Sequence, residues 1–572
     1  MTQSPPDSLS FSQPQQTANL RASRSAIAIT AIGMSLFLTA CAGGGGAGAT
    51  ATASAPPAPS NPLPTVDTGA VAVADPGSRL APDWMSGTFM EIYVRGYQDS
   101  DGDGVGDLKG VIQRLDYLKD LGIGGIWLMP VTKSQDNDHG YAVSDYRNIE
   151  NQFGNLADLD DLLREAHARG IGVILDYVIN HSAEIHPAFA NSRSSVTNAY
   201  RDWYLWQSTK PTGWSIYNND PWRPNTTNSS GGFYFTAFSE SMPDFNLLNP
   251  AVLAWHHNNL RFWLNRGVDG FRFDAVGNLV ENGPAAWEAQ PQNYAIMADV
   301  RRLLNGYLQR YMVCEAPADP IGFARDNACG SAFAFKHNTN IIKSAKGDLA
   351  GVRAVADYHL TAPPNIATMV SNHDAFAGQR LWDEVSGNLA QYRLAAATYL
   401  LQPGIPFVYY GEEIGMAGAA TLTGDQKLRT PMSWSADTVR AGFTSGTPFR
   451  ALSANVASNN AATQVNDGSS LHAFYKSMIG LRKSRASLAR GRYDSVVVNG
   501  AGLGFRRAMN AEETIVAINY GATSISVTMT GLTTGNQYVE LWPSAGATRF
   551  TADSSGSVSI SVPPQGIVVF GK

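Results

Sequence analysis

From Trp84 to about residue 410 the chain alternates short, mostly apolar runs with longer stretches in which apolar residues recur every three or four positions. The short runs, at 89–94, 124–129, 172–177, 268–273, 311–314, 368–370 and 406–410, have the length and β-branched content of buried strands, and Pro130 stops the second. The longer stretches predict helices. Residues 108–121 place Leu108, Ile112, Leu115 and Leu118 on one face, and 156–168 and 251–265 follow the same rule. Strand–helix alternation over some 400 residues predicts a parallel sheet closed into a (β/α)8 (TIM) barrel. An open doubly wound sheet is the alternative, weakened because no glycine-rich phosphate loop follows the first strand.

Two regions break the rhythm. Residues 182–241 form an insertion rich in Asn, Trp and Tyr, with Trp203, Tyr204, Trp206, Trp214 and Trp222, some of them expected along a substrate groove. From 493 to 572 the pattern becomes alternating strands, such as 513–518 and 558–562, separated by Gly and Asn turns, which predicts an all-β sandwich. The barrel is thus expected at 81–181 and 242–492. At the start, Arg21 and Arg24 precede an apolar run over 26–40 and then Leu38-Thr39-Ala40-Cys41. That is an export signal over 1–41, too short for a comfortable membrane span. Leu-Thr-Ala-Cys resembles a bacterial lipobox, which implies lipidation of Cys41 and a periplasmic or outer-membrane-anchored lipoprotein. Residues 42–80, rich in Gly, Ala and Pro, read as a flexible linker.

Composition narrows the partners. A net charge of −6 without a Lys/Arg run points to no nucleic acid. Three cysteines are too few for a disulfide framework, leaving Cys314 and Cys329 as candidates for a single bond in an oxidising compartment. Membrane contact is expected through the lipid alone, and the protein is expected to be a monomer.

In a parallel barrel, chemistry sits at the C-terminal strand ends. Asp176, Asn180 and His181 follow the third run, Arg272 and Asp274 end the fourth, Glu315 ends the fifth, and His373 and Asp374 follow the run ending near Ser371. Arg272 and Asp274 share a strand face, so the guanidinium is expected to lower the Asp274 pKa and keep it ionised, as a nucleophile requires. Glu315 follows four apolar residues, a setting that raises a carboxyl pKa and suits a general acid. Two carboxyls with divided roles are the minimum for glycoside hydrolysis, although each alone could be a buried ion pair.

Asp176-Tyr177-Val178-Ile179-Asn180-His181, Gly270-Phe271-Arg272-Phe273-Asp274-Ala275, Glu315 and Asn372-His373-Asp374 together resemble the ordered motifs of the α-amylase family of glycoside hydrolases. Met242–Asn246, 402–406 and Gly411-Glu412-Glu413 resemble further family segments, so the likeness spans about 84–490. It implies a retaining double displacement, with Asp274 as nucleophile, Glu315 as acid and base, and Asp374 stabilising the distorted sugar. Tyr141, Asp176, His181, Arg272 and His373 are the implied substrate-binding set. The chain departs from the family at Ala142, often Asp, and at Gly277-Asn278, where many α-amylases carry Lys-His. These departures leave the leaving-group subsites open.

Residues 99–107, Asp-Ser-Asp-Gly-Asp-Gly-Val-Gly-Asp, place hard oxygen donors at alternate positions, as Ca2+ prefers. No Glu closes the loop at its twelfth position, so it is not an EF-hand, and an acidic turn capping the next helix is the plain alternative. The loop resembles a calcium loop of oligo-1,6-glucosidase-like members, implying Asp99, Asp101, Asp103 and Asp107 by side chain and Val105 by carbonyl. The cofactor expectation is structural Ca2+ and no organic group. The leading functional expectation is hydrolysis of α-1,4 bonds in starch-like glucans or maltooligosaccharides. An α-glucosidase, oligo-1,6-glucosidase or glucosyl transferase on short α-glucosides is the alternative, and a non-catalytic glucan-binding lipoprotein a remote one.

Overall fold

The computed structural model describes residues 63–572. The export signal, Cys41 and the first part of the linker lie outside the described residues. Seven parallel strands form the central sheet: β1 (Phe89–Ile92), β2 (Gly125–Leu128), β3 (Gly172–Tyr177), β4 (Gly270–Phe273), β5 (Tyr311–Cys314), β6 (Ala367–Thr368) and β7 (Ile405–Tyr409). Their order is β5-β4-β3-β2-β1-β7-β6. The remaining gap is spanned by parallel bridges from Cys314 to Ala332 and from Phe333 to Ala367. The barrel therefore closes through an eighth segment too short to show in the sequence pattern.

Alternation along the strands sorts the side chains. Phe89, Trp127, Ile174, Tyr311, Val313, Phe333, Ala367, Ile405 and Phe407 fill the barrel interior. Met90, Ile92, Ile126, Leu128, Phe271 and Phe273 pack outward on the helices. Phe89 stacks between Phe407 (4.8 Å) and Tyr311 (5.0 Å). Gly125 and Gly172 open β2 and β3 because a Cβ there would strike the rings of Phe89 and Trp84. Leu80 and Trp84 close the bottom of this cluster. All the interior positions below the mouth are apolar, so polar side chains can face inward only at the C-terminal rim.

Three boundaries differ from the sequence pattern. The helix expected over 108–121 breaks into Leu108–Gln113 and Leu115–Leu121 at Arg114, whose guanidinium donates to Gln98 and lies 4.0 Å above the Trp434 ring. The first strand stops at Ile92, and Val94–Tyr97 is a helical turn. The linker is also shorter than its composition suggests. Val71 N–H donates to Asn258, Ala74 N–H to Asn265, and Asp75 pairs with Arg310. Residues 66–80 are thus an arm laid on the barrel, held at Val66, Val71 and Ala74 by side chains of Tyr200, Asn258 and Asn265.

The insertion carries a three-stranded antiparallel sheet of Trp206–Gln207, Phe233–Phe235 and Trp222–Pro224. From Arg492 a six-stranded and a two-stranded antiparallel sheet enclose Ile515, Val527, Tyr538, Ile560 and Phe570. Cys314 and Cys329 are bonded, with Cα atoms 6.2 Å apart.

Candidate active site

The last inward positions of the strands are polar, and one guanidinium organises them. Arg272 Nη1 donates to Asp176 (2.9 and 3.0 Å) and to Asp274 Oδ1 (2.7 Å), while Nη2 donates to Glu315 Oε2 (2.6 Å). Ala275, in the left-handed region at φ 49°, turns its N–H onto the same Glu315 oxygen (3.1 Å). Burial is graded. The Asp176 side chain is 0 % exposed and Arg272 2 %, against 11 % for Asp274, 10 % for Glu315 and 17 % for Asp374. A ligand entering the pocket therefore meets Asp274, Glu315 and Asp374 first. Asp176 lies beneath, accepting from Tyr141 Oη (2.9 Å) and Trp127 Nε1 (3.2 Å) as well as Arg272.

Asp374 is held by a second network. His373 Nε2 lies 3.0 Å from Asp374 and 2.8 Å from Tyr141 Oη, while Nδ1 lies 2.5 Å from Glu91 Oε1. Arg429 Nη2 donates to Asp374 Oδ1 (2.8 Å), and its Nε donates to the His373 carbonyl (3.0 Å). Ser371 Oγ donates to the buried Glu412, fixing the segment that carries His373 and Asp374. His181 is buried, and among the described residues its Nε2 has no hydrogen-bond partner. Asn180 Nδ2 donates to Asp244 Oδ2 (2.9 Å), tying the insertion's end to the loop after β3.

These contacts set the charges. Burial pushes Glu315 up to about 7; Arg272 opposes this, and Asp274 and Asp374 add to it. Burial also pushes Asp274 up to about 6, against the pull of Arg272. Arg272 does pull Asp274 down as expected, but the expected net lowering is corrected, because one guanidinium is shared among three carboxylates and desolvation exceeds its share. Burial works against the His373 charge, but Asp374 and Glu91 hold its pKa up to about 10. Desolvation raises Asp374, and His373 and Arg429 overcome it, leaving Asp374 well below the usual carboxylate range. The pocket thus presents one firmly ionised acid beside a pair poised near neutrality. Removing Arg272 should expose its cost: Arg272→Leu is expected to destabilise the fold by about 3–5 kcal/mol, because three buried carboxylates lose their counter-charge. Their pKa values would rise further, so the loss in melting temperature should be larger at pH 8 than at pH 5. Equal losses at the two pH values would contradict this account.

The acidic loop before Leu108 brings Asp99, Asp101 and Asp107 together, with one oxygen from each within 4.8 Å of the others. Asp103 stands outside that group, accepting from Val105 N–H (2.7 Å). Asp107 also caps the helix at Leu108, accepting from Gly110 N–H (2.8 Å).

Sequence reading gave the acids but missed several partners. Glu91 is hidden in an apolar strand, although an acid at an inward position of β1 is a usable signal. Of the insertion's aromatics, Trp203, Tyr204 and Trp222 are buried in packing. The rings near the pocket are instead Tyr217 and Phe238, with Trp287 from the loop after β4; Phe238 lies 5.4 Å from His181.

A closed parallel barrel with paired acids at the C-terminal rim has the arrangement that glycoside hydrolysis uses. The pattern of the α-amylase catalytic domain matches residues 91–491. The oligo-1,6-glucosidase of Parageobacillus thermoglucosidasius is 30 % identical over 510 residues, covering 76 % of this chain and 90 % of that protein. Alpha-amylase 3 of Dictyoglomus thermophilum is 32 % identical over 425 residues, covering 73 % and 80 %. Among solved structures, trehalose-6-phosphate hydrolase of Bacillus licheniformis superposes with a TM-score of 0.73 at 25 % identity, over 86 % of this chain and 100 % of that one. The chain belongs to the α-amylase family and is a glycoside hydrolase.

Proposed function

We propose that the protein is an α-glucosidase that removes glucosyl units from short α-glucosides by a retaining double displacement. The observation that carries this is the single guanidinium of Arg272 joining Asp274 and Glu315, with Asp374 held separately by His373 and Arg429. Asp274 attacks the anomeric carbon and Glu315 gives its proton to the leaving oxygen. Glu315 then takes a proton from water, which displaces Asp274. Asp374, ionised throughout, accepts from sugar hydroxyls and favours the oxocarbenium-like ring. Tyr141 packs against that sugar, and Asp176, Arg272 and His373 hold the acids from below.

Short substrates are preferred over starch-like chains on two grounds. Arg429 joins Asp374 to Asp138 (3.8 Å) and Asp425 (3.3 Å), and Arg450 joins Asp138 (2.7 Å). This ionic wall behind Asp374 supports a closed pocket rather than a through-running groove. The similarity to an oligo-1,6-glucosidase supports the same choice. Product analysis over time on maltoheptaose, maltose, isomaltose and sucrose tests it. Glucose released from the first minutes with stepwise shortening of maltoheptaose is expected, and early internal fragments would overturn the reading.

Asp99, Asp101 and Asp107 are proposed to hold a structural Ca2+, with Asp103 and the Val105 carbonyl completing the shell. The three converging carboxylates supply the hard oxygen donors and the negative charge such an ion requires. Chelation with EDTA should lower the melting temperature by several degrees, and added Ca2+ should restore it; no shift would remove the ion from the account. Lipidation at Cys41, with export to the periplasm or outer membrane, is proposed from the sequence alone. Cys41→Ser should move the protein from the membrane fraction to the soluble one, and unchanged partitioning would refute it.

A further inference from the structure

A turn of the insertion and the loop after β4 build a second surface at the pocket mouth. Tyr217 and Asn218 both have positive φ (48° and 66°), in a turn closed by hydrogen bonds in both directions between Ile216 and Asn219 (2.8 Å each). Consecutive left-handed residues other than glycine cost free energy and persist where neighbours hold them. Here the neighbours belong to the pocket. Tyr217 Oη donates to Asn278 Oδ1 (3.1 Å), four residues beyond Asp274. Its ring stacks on Phe238 (5.8 Å) and meets Trp287 edge-on (5.1 Å).

Glu288 follows Trp287 in the same loop. Ala289, also left-handed (φ 52°), donates its N–H to the Gly277 carbonyl (2.8 Å) and folds the loop back on itself. That brings Glu288 Cγ within 3.5 Å, and its Oε1 within 3.9 Å, of the place a Gly277 side chain would take. Gly277 has no side chain, and Glu288 stands against that position from the far end of the loop. Its carboxylate is half-buried and, among the described residues, has no hydrogen bond or ion pair; Lys336 is the one charge that offsets its burial. Asn278, which accepts from Tyr217, follows Gly277 directly, so Glu288 stands beside the turn that begins three residues after Asp274.

We propose that Glu288 is the specificity-determining residue for the leaving sugar, accepting hydrogen bonds from hydroxyls of a neutral glucosyl leaving group. The inference rests on the α-glucosidase reading. An acceptor already desolvated gains from a hydroxyl donor and gains nothing from a leaving group without one. The deciding quantity is the ratio of kcat/KM for maltose to kcat/KM for p-nitrophenyl α-glucoside, whose leaving group has no sugar hydroxyls. In Glu288→Gln this ratio should fall about tenfold, and in Glu288→Ala by up to about a hundredfold. Should the alanine variant fold poorly, the glutamine variant decides. Parallel losses on both substrates would mark a merely structural residue, and an unchanged ratio would equally overturn the proposal. A wild-type protein that hydrolyses neither substrate would sink the α-glucosidase reading itself, a result distinct from either.

Discussion

Asp274→Asn is expected to lower kcat on maltose by about four orders of magnitude or more while leaving the melting temperature within a few degrees of wild type. The amide cannot attack the anomeric carbon, so no covalent intermediate forms. The fold should persist because Arg272 Nη1 keeps its bonds to Asp176 and can still donate to the amide oxygen. Glucose release in a coupled assay, with thermal melting alongside, reads both quantities. Activity above about 1 % of wild type would remove Asp274 from the nucleophile's role, since such losses for a true nucleophile are far larger.

Glu315→Gln should separate acid catalysis from everything else in the pocket. A loss of about a thousandfold is expected on maltose, within the range general acid catalysis supplies. α-Glucosyl fluoride, whose leaving group needs no proton, should lose much less in the first step. The pH profile gives an independent check. Activity needs Asp274 ionised and Glu315 protonated. Asp274, raised by burial to about 6, sets a fall on the acid side, and Glu315, raised by burial to about 7, sets a fall on the alkaline side. The pair titrates together because both carboxyls share Arg272. In Glu315→Gln the alkaline limb should vanish and the acid limb remain. Equal losses on maltose and the fluoride, or an unchanged alkaline limb, would contradict the assignment.

The order of these pKa values follows from counting charges around Arg272. Asp176, Asp274 and Glu315 share a single guanidinium, while Asp374 is already matched by His373 and Arg429. Three carboxylates on one cation cannot all ionise cheaply in a desolvated pocket, so one proton is retained near neutrality. Glu315, also repelled by Asp374, keeps it.

Much of this arrangement is legible along the chain. Apolar runs of three to six residues locate the strands, and period-two alternation places Arg272 and Asp274 on one face at the rim. The barrel segment between β5 and β6 is illegible because two bridging residues, Ala332 and Phe333, leave no periodic trace. Glu91 escaped for the opposite reason, being a lone acid in a strand otherwise read as core. The arm at 66–80 was mistaken for free linker because composition records what a segment can bury, not which side chains of a neighbour will accept its backbone.

The sequence by itself determined the barrel, the rim positions of Asp274, Glu315 and Asp374, and the sandwich that follows, because strand periodicity and motif order are local properties. Tertiary structure decided what those acids are at neutral pH. Glu91, 282 residues from His373, joins Asp374 in keeping the imidazole protonated, and a buried guanidinium divided three ways leaves Asp274 raised where sequence neighbourhood suggested it would be lowered. The mouth was settled in the same manner, with Tyr217, Phe238, Trp287 and Glu288 drawn from two loops that meet only in space. Coulomb and desolvation energies depend on distance and burial, and neither is a function of separation along the chain.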